Sequence, residues 1–215
     1  MRFLITAGPT REPLDPVRFL SNRSTGRMGY AIAEAVLAAG HECLLVSGPV
    51  NLPVPEGAEA VPVETAEEMY LAVERNIPGV EVAFFVAAVA DYRPRVQVAQ
   101  KLKKAGGEGL VLELERTRDI LGSARSVMKF TGVLVGFAAE TENLRHNARG
   151  KMERKGCNLL AANDVSKAGV GFGSSRNEIL LLHADGKEEA LPEASKGELG
   201  EILVARALAV AEASA

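Results

Sequence analysis

The feature that most limits what this chain can become is an alternation: short apolar runs that stop at glycine, proline or small residues, separated by stretches whose apolar residues recur at helical spacing. The run Arg2-Phe3-Leu4-Ile5-Thr6-Ala7 is apolar, partly β-branched and halted by Gly8-Pro9, which predicts a buried strand ending in a turn. From Arg27 to Ala39 the residues Met28, Ala31, Ile32, Ala35, Val36 and Ala39 fall on one helical face, with Gly40 placed for the left-handed conformation that ends helices. Strands are predicted next at Glu42 to Val46 and Ala60 to Val63, and Thr65-Ala66-Glu67-Glu68 has the capping-box spacing that opens a helix. Val82 to Ala88, Leu110 to Leu114, Val133 to Phe137 and Leu159 to Ala162 continue the strand series, the last following a helix that ends near Lys155. Glu178 to His183 and Glu188 to Leu191, joined through Asp185-Gly186, predict a β-hairpin, and Leu199 to Ala211 an Ala-rich amphipathic helix.

A parallel strand pair needs a long crossover, and the right-handed connection favours a helix. The expected architecture is therefore a three-layer, Rossmann-like α/β fold with a mainly parallel sheet and a C-terminal β-hairpin, one domain over residues 1–215. Two segments lack a regular pattern, 52–59 and 92–109, the second carrying Lys101, Lys103 and Lys104 among Gly106, Gly107 and Gly109. Long loops of this kind in a compact domain are functional or disordered.

Charge and composition remove several functions. Twenty-five Lys and Arg against 28 Asp and Glu give a net charge of −3, so no basic field exists to hold a nucleic acid by counterion release. No stretch approaches the roughly 18 apolar residues that span a bilayer, and the chain starts directly in a strand, so the expected location is cytoplasmic, without a membrane partner. Cys43 and Cys157 are far apart and form no CxxC, which excludes a disulfide framework and a four-cysteine zinc site; both read as buried, inert thiols. His41, His146 and His183 have no metal-ligand spacing, and the sequence assigns no metal ligand.

In an open parallel sheet, ligands bind beyond the carboxyl ends of the strands. After the first predicted strand come Arg11, Arg18 and then Ser21-Asn22-Arg23-Ser24-Thr25-Gly26-Arg27, immediately before a helix. Free N–H groups and the helix dipole at that point suit a phosphate or carboxylate, which singles out Ser21, Ser24, Gly26 and Arg27; the competing reading is a helix whose Ser24 or Thr25 only caps its own backbone. Small residues precede polar ones at the other strand ends too: Ala87-Ala88 before Asp91, Ala138-Ala139 before Glu140, Ala161-Ala162 before Asn163-Asp164. That is the profile of a nucleotide site. Asp91 is placed to hold a ribose or a divalent cation, or else to cap a turn. Lys101, Lys103 and Lys104 either close over an anion or form a solvated charge run, and Lys151 and Lys155 share one helix face from which they reach a polyphosphate or simply solvent. No GxGxxG links the first strand to its helix and the second strand ends in Ser47-Gly48-Pro49, which sets a nicotinamide-type Rossmann site well behind, although the alternating fold keeps a nicotinamide or flavin oxidoreductase as an alternative; no Walker pattern occurs, and Gly169-Val170-Gly171-Phe172-Gly173 reads as a turn. A non-catalytic nucleotide-binding module stays open.

Taken together, Ile5 to Pro13, Asp15-Pro16-Val17-Arg18, Ser21-Asn22 to Gly29, Ala87-Ala88-Val89-Ala90-Asp91-Tyr92, Lys101-Leu102-Lys103-Lys104, Gly136-Phe137-Ala138-Ala139-Glu140-Thr141 and Ala162-Asn163-Asp164 resemble the phosphopantothenate cysteine ligase (phosphopantothenoylcysteine synthetase) family over nearly the whole chain. The resemblance implies coenzyme A biosynthesis: CTP activates the carboxylate of 4′-phosphopantothenate as an acyl cytidylate, pyrophosphate leaves, and the amine of cysteine displaces CMP. It implies Mg²⁺ as a cofactor, a homodimer, and a flavin-dependent decarboxylase on the same or a separate chain, so that this chain is a free-standing form or one domain of a longer one. By position it makes Asn22, Lys101 and Arg18 the catalytic residues, with Asn22 associated with the acyl cytidylate, Lys101 with activation and Arg18 with the second half-reaction. It makes Phe85, Val86, Ala87, Asp91, Phe137, Lys151 and Lys155 nucleotide contacts, and places Ala88 beside the substrate. Where the family usually has Asn-Pro-Asp-Ile-Leu, this chain has Thr117-Arg118-Asp119-Ile120-Leu121, so Arg118, Asp119, Ile120 and Leu121 are the nucleotide-contacting segment in which CTP or ATP preference is expected to be set.

Overall fold

In a computed structural model of the protein, which describes residues 1–103, 109–166 and 173–213, twelve strands and five helices follow one another. The strands are β1 (Arg2–Ala7), β2 (Arg11–Pro13), β3 (Phe19–Ser21), β4 (Glu42–Ser47), β5 (Glu59–Pro62), β6 (Val82–Phe85), β7 (Tyr92–Pro94), β8 (Leu114–Arg116), β9 (Val133–Glu140), β10 (Leu159–Asp164), β11 (Arg176–His183) and β12 (Glu188–Ser195). The helices are α1 (Arg27–Ala38), α2 (Ala66–Asn76), α3 (Ile120–Ser126), α4 (Leu144–Lys155) and α5 (Lys196–Ala213).

Eight strands form one sheet in the order β12-β11-β10-β9-β6-β1-β4-β5. From β5 to β10 every pairing is parallel, and β11 and β12 add the antiparallel hairpin at one edge. The apolar runs are continuous because both faces of the sheet are covered. Phe3 and Ile5 point to the side of α1 and α5, whereas Leu4 between them packs with α2, α3 and α4. The same alternation separates Val135 from Leu134 and Ala161 from Leu160.

Local signals account for the helix ends. Thr65 Oγ1 accepts from Glu68 N–H at 3.1 Å while the Glu68 carboxylate accepts from Thr65 N–H at 3.3 Å, completing the capping box. Buried Glu12 adds a third restraint, its Oε1 accepting from Ala66 N–H at 2.9 Å. Gly29 lies where α1 crosses β1, and a Cβ there would stand 2.6 Å from the Ala7 Cβ. Gly29→Ala is expected to force α1 away from the strand and lower the unfolding free energy by about 1–3 kcal/mol, read as a lower urea midpoint; an unchanged midpoint would show that the helix shifts without strain.

The structure corrects several sequence boundaries. Of the strand expected at Leu110 to Leu114, only Leu114 is in one, and β8 pairs antiparallel with β7 outside the main sheet. The alternation there has no core to face: Leu110 and Val111 are 63% and 88% exposed. The run Val82 to Ala88 leaves the sheet after Phe85, because Thr6 Oγ1 takes the Val86 and Ala87 N–H groups at 3.1 and 3.3 Å. The β2–β3 hairpin, two three-residue strands joined through a loop that contains Pro16, has no periodicity from which to predict it. Lys104, Gly106, Gly107 and residues 169–172 lie outside the described residues.

Candidate active site

The carboxyl ends of β1, β6, β9 and β10 open on a single large pocket of about 760 Å³. Its walls come from the segments the sequence singled out at those strand ends. Phe85, Val86, Ala87, Ala88 and Asp91 follow β6; Phe137, Ala138 and Ala139 belong to β9; Asn163 belongs to β10. Small side chains leave the backbone approachable along this rim, as a flat ligand requires.

Asn22 lies on the pocket wall, its amide nitrogen donating to the Ala88 carbonyl at 2.7 Å. This bond joins the segment before α1 to the one after β6, and Pro9 bridges to Ala88 beside it. Ser24, Gly26 and Arg27 also line the pocket. The N-cap of α1 is Gly26, at φ 77°, a residue with no side chain to cap the first turn. Ser24 Oγ accepts from Gly26 N–H at 3.4 Å, a backbone contact of the kind the capped-helix alternative expects, and the first-turn residues Arg27, Met28 and Gly29 nonetheless line the pocket. An N-terminus in this state is suited to an anion.

On the other face of the sheet, Lys151 Nζ donates to the Phe137 carbonyl at 2.7 Å, and burial pushes its ammonium below the usual lysine range although Glu140 opposes the shift. Lys155 pairs with Asp119, which caps α3 by accepting from Gly122 N–H at 2.9 Å. Burial alone would raise the Asp119 carboxyl; the bonds from Lys155 and Gly122 outweigh it and hold the group below the carboxylate range. Ile120 and Leu121 line the wall beside it. Arg118 reaches the pocket too, but its guanidinium is paired with Glu67 and lies 3.5 Å over the Tyr70 ring. It serves as a fixed wall more than as a mobile ligand for phosphate.

Among the described residues, seven cations line the pocket (Arg27, Arg116, Arg118, Lys151, Arg154, Lys155 and Lys196) against two acids, Asp91 and Asp119. In a chain of net charge −3 this segregation gives the pocket a local excess of positive charge, which favours anions. No group of three His, Cys, Asp or Glu side chains among the described residues can hold a metal ion. Both cysteines are buried, and burial raises Cys43 to about 12 and Cys157 to about 11, which leaves neither as a nucleophile.

Three expected residues lie outside the pocket lining. Arg18 pairs with buried Asp15 and donates to the Leu102 carbonyl at 2.6 Å; the Leu102 N–H in turn donates to Asp15 at 3.1 Å. That clasp holds Lys101, which is exposed, next to the β2–β3 hairpin. Ser21 donates to the Thr10 carbonyl at 2.7 Å, a bond internal to the hairpin. Conversely, sequence reasoning missed Asn177 and Lys196, both buried and both on the pocket wall. Neither follows a parallel strand, so position after a strand end could not find them. Asn163 does, and was legible by that rule.

The sequence matches the family described as "DNA/pantothenate metabolism flavoprotein C-terminal domain" over residues 1–210. It is 46% identical over 194 residues to the coenzyme A biosynthesis bifunctional protein CoaBC of Bacillus subtilis, covering 90% of this chain and 47% of that protein. Against CoaBC of Escherichia coli K12 it is 43% identical over 206 residues, covering 95% and 50%. The chain therefore spans about half the length of the curated relatives it matches. A crystal structure of the C-terminal domain of a CoaBC protein superposes with a TM-score of 0.82 at 40% identity, over 98% of this chain and 96% of that one.

Proposed function

The chain belongs to the family of DNA/pantothenate metabolism flavoprotein C-terminal domains, and from that membership and the pocket we propose that it is the ligase that joins 4′-phosphopantothenate to cysteine in coenzyme A biosynthesis, by way of an acyl cytidylate made from CTP. The observation that carries this reading is the convergence of Asn22, Ala88, Asp91, Phe137, Lys151 and Lys155 on one cation-lined pocket.

The chemistry needs such a wall. A carboxylate approaching a nucleoside triphosphate is repelled, and fixed cations in a sheltered pocket lower that barrier without reorganising. The apolar rim from Phe85 to Ala87 and Phe137 would flank the base, with Lys151 and Lys155 beneath it; Asp91 stands at the edge as the available protein carboxylate for a ribose hydroxyl or for Mg²⁺. Mg²⁺ binds through phosphate oxygens and few protein groups, and when bound it would neutralise phosphate charge. Asn22, neutral and anchored to Ala88, offers its second amide N–H to the acyl oxygen as the amine adds. We further propose a homodimer, and a flavin-dependent decarboxylase on another chain or in the remaining half of a longer one. No helix among the described residues is long and apolar enough to cross a membrane, and the relatives' pathway fits the cytoplasm.

The test is reconstitution. Protein, Mg²⁺, 4′-phosphopantothenate and cysteine with CTP should yield the amide, CMP and pyrophosphate, each dependent on every reactant, and ATP in place of CTP reads the nucleotide preference. Nucleotide binding with no amide in the complete mixture would leave a non-catalytic binding module; bound flavin or dinucleotide would point to the oxidoreductase.

A further inference from the structure

α3 brings Asp119, Ile120 and Leu121 to the pocket wall, yet it has only seven residues, too few to keep its place by its own backbone bonds. Packing seats one side of it: Leu121 and the Cys157 thiol meet over Gly136 of β9, where a Cβ would stand 3.1 Å from the leucine Cδ2 and 3.0 Å from the sulfur. Two polar clamps tie the helix to α4. One, on the pocket side, is the pair between Asp119 and Lys155. The other is Arg125, in the last turn of α3 and outside the pocket lining.

The Arg125 guanidinium donates from all three of its nitrogens: Nη1 to the Phe130 carbonyl at 2.6 Å, Nη2 to Asn158 Oδ1 at 2.7 Å and Nε to the Gly156 carbonyl at 3.2 Å. Its partners come from three places. Phe130 lies past the end of α3, where the chain reverses through Lys129 at φ 57°, a conformation few side chains adopt, and its ring centre is 5.4 Å from the guanidinium carbon. Gly156, at φ 64°, is the C-cap of α4 and follows Lys155 directly. Asn158 is fastened to β9, the same Oδ1 accepting from Leu134 N–H at 2.8 Å while the Asn158 N–H donates to the Leu134 carbonyl at 2.9 Å. Burial works against the charge of this half-buried arginine, and its three acceptors are neutral oxygens, so what the position uses is the planar fork, which a lysine lacks.

A nucleotide that draws on Lys155 must take it from Asp119, and at that moment the pocket-side clamp is open. Asp119 can stay as the cap of α3 through its bond from Gly122 N–H, but the join between α3 and α4 then rests on the far side. We infer that Arg125 is a positioning residue for nucleotide binding: by holding the residue next to Lys155 and the far end of α3 together, it keeps the two helices at a fixed spacing while Lys155 exchanges Asp119 for the nucleotide. It acts through Lys155 and touches no ligand. This rests on the proposed role of Lys155 as a nucleotide contact.

Calorimetric titration with CMP and CTP tests the assignment as a double-mutant cycle. Arg125→Met should weaken both nucleotides by about 10-fold at unchanged stoichiometry, and Lys155→Met should weaken them as well. In a chain that already carries Lys155→Met, adding Arg125→Met should cause no further loss, because its effect passes through the lysine. A fall in stoichiometry with the affinity unchanged would make Arg125 a residue of folding alone and overturn the inference, as would a second loss of the same size in the double variant. If Arg125→Met does not fold, Arg125→Lys takes its place in the cycle: it keeps the charge and most of the stem but cannot make the three bonds, so it should weaken both nucleotides, and an unaltered affinity would overturn the inference. Nucleotide binding that no Arg125 variant changes leaves the proposed ligase standing and removes Arg125 from it; binding of neither CMP nor CTP by the unaltered protein removes the nucleotide reading and this inference with it.

Discussion

Asn22→Asp is expected to lower amide formation by about 10²–10³ while leaving the fold intact. The asparagine is exposed on the pocket wall and supports no core contact, so the effect belongs to the reaction. Its amide nitrogen donates to the Ala88 carbonyl at 2.7 Å, which fixes the side chain in one orientation. An aspartate there would set a carboxylate oxygen against that carbonyl, swing away from it, and add a negative charge beside an anionic substrate. Asn22→Ala loses only the donor and should fall less far. Following CMP and amide separately locates the step: if Asn22 steadies the acyl oxygen during amine attack, the acyl nucleotide accumulates in the variant while its formation is less affected. Amide formation by Asn22→Asp at the normal rate would remove Asn22 from the mechanism.

The parallel sheet and the location of its pocket were legible because both depend on patterns that short windows carry. Continuous apolar runs such as Val133 to Phe137 say that both strand faces are covered, and the β9 register bears this out, with Leu134 and Val135 in opposite cores. Small residues followed by polar ones marked the rim. What stayed hidden depends on tertiary pairing alone. The β2–β3 hairpin is held by Ser21 to Thr10 and by Thr10 Oγ1 accepting from Ala90 N–H at 2.9 Å, contacts that no spacing announces. Lys196 follows an antiparallel hairpin and looks like any surface lysine at a helix start; only the packing of α5 on α1 buries it at the pocket. The identity of Arg118 was plain, but its pairing with Glu67 over Tyr70 was not, because Glu67 and Tyr70 belong to α2, some fifty residues earlier.

Lys101→Ala should produce the other large loss, about 10²–10³ in the rate of pyrophosphate release, with thermal stability unchanged because the side chain is exposed. The structure gives this prediction a particular form. Lys101 is not on the pocket wall; its neighbour Leu102 is clasped by Asp15 and Arg18. The Arg18 guanidinium, together with backbone N–H bonds, holds the Asp15 carboxyl far below the carboxylate range despite burial, so the clasp is intact throughout neutral pH and loosens only well into acid, as the carboxyl protonates. For Lys101 to act at the phosphorus, its segment must travel to its own pocket or the pocket must be that of a second subunit. Mixing Lys101→Ala chains with Asn22→Asp chains separates these routes. If the lysine serves the partner's pocket, a mixed dimer has one site with both groups and activity returns; if it serves its own, each site lacks one group and none returns. Asp15→Asn then reports on the clasp itself: it should alter the rate of pyrophosphate release without changing CMP binding, since Asp15 lies outside the pocket lining. Full activity of Lys101→Ala would mean that the fixed cations of the pocket suffice for activation and that the lysine-bearing segment has no part in it.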